Sequence, residues 1–204
     1  DDGVGRVMNA IKSAGQEENT IVVFLSDNGG PVQKNGSKNF PLRGGKSDLY
    51  EGGIRVPFAM QWKGKIKKGM EYNYPVSSMD IMGTICEIAG VKTKNKLDGV
   101  NLLPFLKTKN KAMPHDVLFW RKWEQNAMAI RSDELKLVAN RDKSKTPLEL
   151  YNLEQDLVEN YNLRESNKTE VTNLMSLWEQ WDKNNKERYF PTLREDKWWE
   201  RNSK

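Results

Sequence analysis

The chain has 204 residues, enough for one sizeable domain or for one and a half smaller ones. Lys and Arg total 33 against 28 Asp and Glu, a net charge of +5, and the two signs are interspersed, which fits a solvated surface rather than a nucleic-acid tract. Hydrophobic residues make up 37% and mean hydropathy is −0.80; no apolar run approaches the ~20 residues of a membrane-spanning helix, so neither nucleic acid nor a membrane is an expected partner. The single cysteine, Cys86, excludes an intrachain disulfide and leaves the redox compartment open. The sequence starts at Asp1 without a charged and apolar leader, as expected of a fragment or of a chain whose leader has been removed. Two glycosylation sequons, at Asn35 and Asn167, are too common by chance to fix a location.

The spacing of Val4, Val7, Met8 and Ile11 predicts a helix over residues 4–14 with one apolar stripe, ended by Gly15. "IVVFLS" is short, β-branched and apolar throughout, which predicts a strand buried on both faces of a parallel sheet. Helix followed by such a strand is half of an α/β repeat. Residues 29–53 form a long loop rich in Gly, Lys, Asn and Ser, and loops of that length in compact domains are usually functional. "IRVPFAMQW" (54–62) predicts a further strand, with Pro57 marking an edge. A helix is expected at 78–89, capped by Ser77 with Asp80 three residues on, with Met79, Met82, Cys86 and Ala89 on its core face and Gly90 at its end. A polar, Lys-rich hinge, "KTKNKAMP", follows residue 106, and His115 just beyond it has a surface or linker role. "DVLFWR", "NAMAIRS", "LKLVAN" and "LELYNL" then predict an antiparallel meander. A helix over 169–183 would cover one face of it with Val171, Leu174, Trp178 and Trp181. In the tail, Trp198 and Trp199 either pin the chain end or form a carbohydrate platform.

Two stretches carry the chemistry. In "FLSDNGG", Asp27 and Asn28 stand at the carboxyl end of a predicted strand, where ligands of open α/β sheets bind. A carboxylate beside an amide oxygen offers two hard donors, suited to Ca²⁺ or Mg²⁺ rather than Zn²⁺. The same tripeptide also makes a plain turn that needs no metal. In "LRGGKSDLYEGGIRVP", Lys46 sits between Gly44-Gly45 and Gly52-Gly53. Glycine pairs let backbone N–H groups approach an oxyanion, and an ammonium among them adds a compact positive charge for phosphate or sulfate. The spacing is not that of a P-loop.

Taken together, S-D-N-G-G, a spacer, L-R-G-G-K and E-G-G-I-R-V-P resemble the sulfatase family. "SSMDIMGTICEIAGV", "DGVNLLPFL", "HDVLFW", "IRSDELKLV" and "ELYNLEQDLVENYNL" extend the resemblance along nearly the whole chain. The resemblance implies an α/β fold: residues 1–107 as the C-terminal portion of the sulfatase catalytic domain, and residues 108–204 as a small antiparallel α+β subdomain. It implies Asp27 and Asn28 as two ligands of Ca²⁺, and Lys46 as the catalytic, substrate-binding lysine on the sulfate group. The family's nucleophile, a formylglycine made from a C/S-x-P-x-R motif, has no counterpart here, since Cys86 lies in "ICEIA". Nor do Asp1-Asp2 match the family's early metal pair; they read as acids favoured at a helix N-terminus. The expectation is therefore a sulfatase fragment, inactive alone, whose missing N-terminal half supplies the nucleophile, with a sulfated small molecule or sulfated glycan as substrate and export by family analogy. Two alternatives stay open: a related phosphate or phosphonate ester hydrolase, and a non-catalytic carbohydrate-binding module on the same scaffold.

Overall fold

A computed structural model describes residues 1–107, 112–142 and 144–186. In chain order the elements are α1 (Asp2–Ser13), β1 (Ile21–Leu25), α2 (Val32–Asn35), α3 (Glu51–Ile54), β2 (Phe58–Trp62), α4 (Met79–Ile88), α5 (Leu103–Lys107), β3 (Val117–Lys122), β4 (Ala127–Ser132), β5 (Leu135–Ala139), β6 (Glu149–Asn152) and α6 (Lys168–Lys183). The central part of the Lys-rich hinge and the tail with Trp198 and Trp199 lie outside the described residues. No described helix is long and apolar enough to cross a membrane. The described residues form two compact units that interleave in sequence: those of 1–26 with those of 57–116, and those of 27–56 with those of 117–186.

In the first unit α1 forms where the spacing predicts it, with Asp2 in its first turn and Gly15, at φ 65°, donating back to the Lys12 carbonyl at 2.9 Å. Its apolar stripe is not core: Val4 and Val7 are exposed, and no residue of the helix is buried. β1 also departs from expectation. It pairs antiparallel with β2, Ile21 opposite Trp62 through Leu25 opposite Phe58, and is half-buried with Phe24 exposed. An unbroken β-branched run suits burial on both faces, but β2 is its one partner strand among the described residues. α4 begins with the reciprocal cap its sequence predicts. Ser77 Oγ accepts from the Met79 N–H, and Asp80 accepts from the Ser77 N–H at 2.7 Å. Its buried stripe, however, is Asp80, Gly83 and Thr84, while Met79 and Met82 are exposed and Cys86 is half-buried. Gly83 explains the switch. A Cβ there would stand 2.8 Å from the Gly99 carbonyl oxygen, so the helix lies backbone-close against residues 99–100 on that side. His115 is likewise not a surface residue. Its Nε2 lies 2.8 and 2.9 Å from the two oxygens of fully buried Asp80, whose Oδ1 also accepts from the Val100 N–H.

The second unit holds the predicted meander, β3-β4-β5-β6, antiparallel throughout. Because side chains alternate across a strand, β4 to β6 divide cleanly into two faces. Met128, Ile130, Leu137, Ala139 and Leu150 face α6 and pack on Leu174 and Trp178, with Val171 and Trp181 beside them, as the helical stripe predicts. Phe119 stacks on Trp181 at 4.9 Å, and Trp178 Nε1 donates to the Trp120 carbonyl at 3.2 Å. The opposite face is also covered. Ala127, Ala129, Val138 and Tyr151 pack with Leu49, Tyr50 and Ile54, so the glycine-rich segment 27–56 is the second layer over this sheet.

Candidate anion and metal site

The two glycine-rich stretches are joined by their backbones. The Gly29 N–H donates to the Gly53 carbonyl at 2.9 Å, and the Lys46 N–H donates to the Gly30 carbonyl at 3.1 Å. Such an approach requires glycine. A Cβ on Gly29 would meet the Gly52 oxygen at 1.7 Å, and one on Gly45 would meet the Gly30 oxygen at 2.6 Å. Asn39 acts as a clasp: its Oδ1 accepts from the Gly30 N–H at 2.9 Å, and its Nδ2 donates to the Gly30 and Gly44 carbonyls, both at 3.0 Å. Asp48 closes the turn around Lys46 by accepting from the Gly45 N–H at 2.9 Å. The segments carrying Asp27-Asn28 and Lys46 are thus held together by five polar contacts among Gly29, Gly30, Asn39, Gly44, Lys46 and Gly53.

The loop is then fixed to the sheet. Asp48 accepts from Asn140 Nδ2 at 2.9 Å, and Asn140 Oδ1 accepts from the Leu49 N–H. The Arg43 guanidinium lies 3.8 Å from the Tyr50 ring centroid, donates to the Tyr151 hydroxyl at 2.8 Å and to the Glu159 carbonyl at 3.0 Å, and stands 3.5 Å from Glu149. Tyr50 donates to Glu149 at 2.6 Å. Burial, then that carboxylate, hold the Tyr50 phenol far above its ordinary 10.0, and burial with Glu149 pushes Tyr151 up to about 12. Both phenols stay neutral across physiological pH.

Beneath the E-G-G turn lies a buried ionic cluster. Lys136 on β5, with no solvent exposure, is 2.8 Å from Glu51 Oε1 and 2.8 Å from Glu159 Oε1. The Glu51 N–H donates to Glu159 Oε2 at 2.7 Å. The approach of Lys136 to Glu159 is a charge contact without hydrogen-bond geometry. Burial raises the Glu159 carboxyl above its ordinary 4.5, against the pull of Lys136. Charges buried this deeply persist because each faces an opposite charge.

Of the residues singled out from sequence, Asp27 and Lys46 are exposed, Asn28 is half-buried, and all three belong to the same unit. Exposed Asp27 with neighbouring Asn28 offers hard oxygen donors of the kind Ca²⁺ takes. Among the described residues no group of three or more His, Cys, Asp or Glu could hold a metal. The clasp and anchors, Asn39, Arg43, Asp48, Asn140 and the Lys136 cluster, were not anticipated. The one available signal was Lys136 interrupting the otherwise apolar "LKLVA", a charge at a position whose strand neighbours are core.

Comparisons with known proteins identify the family. Residues 1–91 match the family described as Sulfatase. "Uncharacterized sulfatase YdeN" of Escherichia coli (strain K12) is 41% identical over 126 residues, covering 59% of this chain and 22% of YdeN. A protein named "Sulfatase" from Formosa agariphila is 33% identical over 195 residues, covering 84% of this chain and 35% of the relative. Among solved structures, Ps i-CgsB, solved alone and in complex with k-i-k-neocarrahexaose, superposes with a TM-score of 0.82 at 32% identity, covering 99% of this chain and 45% of that one. The chain thus spans less than half the length of each of these relatives. With the family model matching residues 1–91, a sulfatase relative matching 84% of the chain in sequence and a solved structure matching nearly all of its backbone, the chain belongs to the sulfatase family.

Proposed function

We propose that this chain is part of an enzyme that hydrolyses sulfate esters, R–O–SO₃⁻, to alcohol and sulfate. In this reading Lys46 binds the sulfate oxygens, and Asp27 and Asn28 are two of the ligands of a Ca²⁺ ion. The observation that carries it is the 3.1 Å bond from the Lys46 N–H to the Gly30 carbonyl, which ties the lysine loop to the loop that opens with Asp27 and Asn28. A cation at those oxygens would supply Lewis-acid stabilisation of the transferring group. The residues of this chain would act on the sulfate oxygens beside it. Lys46 neutralises charge that grows on the sulfate oxygens in the transition state, in a loop fixed beforehand by Asn39 and Arg43, so little reorganisation is needed as the reaction proceeds. The nucleophile and the remaining metal ligands come from outside the 204 residues, which alone should not turn over sulfate esters.

The test is to express the parent protein and compare it with its Lys46→Met variant on an aryl sulfate. Loss of one such stabilising contact should lower kcat by ~10²–10³-fold, with the circular dichroism spectrum unchanged. A variant as active as the parent would defeat the assignment of Lys46. Turnover of phosphate or phosphonate esters in preference to sulfate would favour the related hydrolase reading instead.

A further inference from the structure

We propose that Asn140 and Lys122 are positioning residues for Lys46, imposing from the sheet the strained turn that presents it. Their role deepens the sulfatase reading and rests on it. Gly45–Asp48 is a turn closed by the Asp48 N–H, which donates to the Gly45 carbonyl at 2.8 Å. Lys46 and Ser47 are its two central residues, and Ser47 stands at φ 80°. A left-handed φ at the third position is the pattern of a type II turn, where glycine or asparagine ordinarily sits. Serine carries a Cβ, so its backbone is strained here, and strain of this kind persists only where the surroundings over-determine it.

Two side chains from the sheet do this. Lys122, the last residue of β3, donates from Nζ to the carbonyl of Ser47, the strained residue itself, at 2.8 Å. Asn140, directly after β5, holds the exit of the turn. Its Nδ2 donates to Asp48 Oδ1 at 2.9 Å, and its Oδ1 accepts from the Leu49 N–H. Asp48 Oδ2 in turn accepts from the Gly45 N–H at 2.9 Å. Asn140 therefore orients the carboxylate that bridges the residues before and after Lys46-Ser47. β4 lies between β3 and β5, so the turn is gripped at two separate points of one hydrogen-bonded sheet. Its entry is fixed independently, by the Lys46 N–H on the Gly30 carbonyl at 3.1 Å. The Lys46 side chain is exposed and no longer has to find its place along with its backbone. That removes part of the positional search before reaction, and small misplacements of a catalytic group are costly.

The test uses the parent protein and its Asn140→Ala and Lys122→Met variants, each with and without Ser47→Gly, on a small aryl sulfate. At a temperature where circular dichroism shows the fold intact, each single change should lower kcat about tenfold with a smaller change in KM, since Lys46 acts on charge that grows in the transition state. Glycine takes φ 80° without strain, so adding Ser47→Gly should restore most of the lost kcat. Hydrogen exchange reads the turn without any turnover. The Gly45 and Asp48 amides should exchange about tenfold faster in both single variants, with the β4–β5 ladder unchanged, and should slow again once Ser47→Gly is added. A loss of kcat that Ser47→Gly does not reduce, or turn amides as protected as in the parent, would overturn the assignment. A parent that turns over no sulfate ester would defeat the sulfatase reading separately, and the exchange rates would still decide whether the sheet holds the turn.

Discussion

Replacing Lys136 with Met leaves Glu159, whose side chain is 0% exposed, without a countercharge, while Glu51 keeps Arg55, 3.7 Å away and half-exposed. A carboxylate buried this deeply cannot stay ionised without a partner. Breaking a buried pair in this way costs ~3–5 kcal/mol, a large share of the ~5–15 kcal/mol that holds a typical domain. At ~2–4 °C per kcal/mol for a chain of this size, the melting midpoint should fall by roughly 6–20 °C. Removing all three charges while keeping the acceptors, as Glu51→Gln, Lys136→Met and Glu159→Gln together, should cost less than the single change, because no lone charge remains buried. The pH dependence has a definite sign. Glu159 binds its proton more readily in the folded than in the unfolded chain, so its burial costs stability at high pH. That cost is relieved as pH falls through the raised folded value towards 4.5. In Lys136→Met the relief should be larger, since the countercharge is gone. Denaturant melts followed by near-UV circular dichroism at pH 8 and pH 5 measure both effects. A loss below ~1 kcal/mol at pH 8, the scale of an exposed pair, or a loss that does not shrink at pH 5, would refute the argument.

The loop contacts make two further predictions. Asn39→Ala removes three hydrogen bonds at once and leaves the Gly30 and Gly44 groups short of partners, at ~1–3 kcal/mol for each buried group left unsatisfied. Hydrogen exchange should show faster exchange at the Gly30 and Lys46 amides, with the β4–β5 ladder unchanged. Gly29→Ala drives a Cβ to 1.7 Å from the Gly52 oxygen, so its cost should reach or exceed the ~3 kcal/mol upper end of ordinary overpacking. Gly3→Ala, in the open on α1, should instead be neutral or stabilising by up to ~1 kcal/mol. Paired thermal melts check the contrast.

The elements legible in the sequence are those whose local pattern and tertiary surroundings agree. The closely spaced strands "NAMAIRS" and "LKLVAN", the stripe Val171-Leu174-Trp178-Trp181 and the Ser77–Asp80 cap all appear where the sequence places them. The errors share one cause: periodicity shows which residues line up, not what meets them. The apolar stripes of α1 and α4 line up as read, yet Val7 and Met82 face solvent, and on α4 the buried side is set by the small profile of Gly83. β1 was misassigned because an unbroken apolar run looks the same whatever its partner's direction. At the candidate site, Asp27, Asn28 and Lys46 were singled out by residue type and motif. The groups around them were not, since Asn39, Arg43 and Asn140 are ordinary polar residues until the fold brings them to the glycine carbonyls, to Tyr151 and Glu159, and to Asp48, respectively.

A crystal structure of the parent protein grown with Ca²⁺ and sulfate tests the site most directly. The account predicts one calcium ion, with oxygens of Asp27 and Asn28 within the ~2.3–2.6 Å typical of calcium ligands, and a sulfate within hydrogen-bonding reach of Lys46 Nζ. A calcium ion bound without Asp27 and Asn28, or a sulfate held away from Lys46, would contradict it.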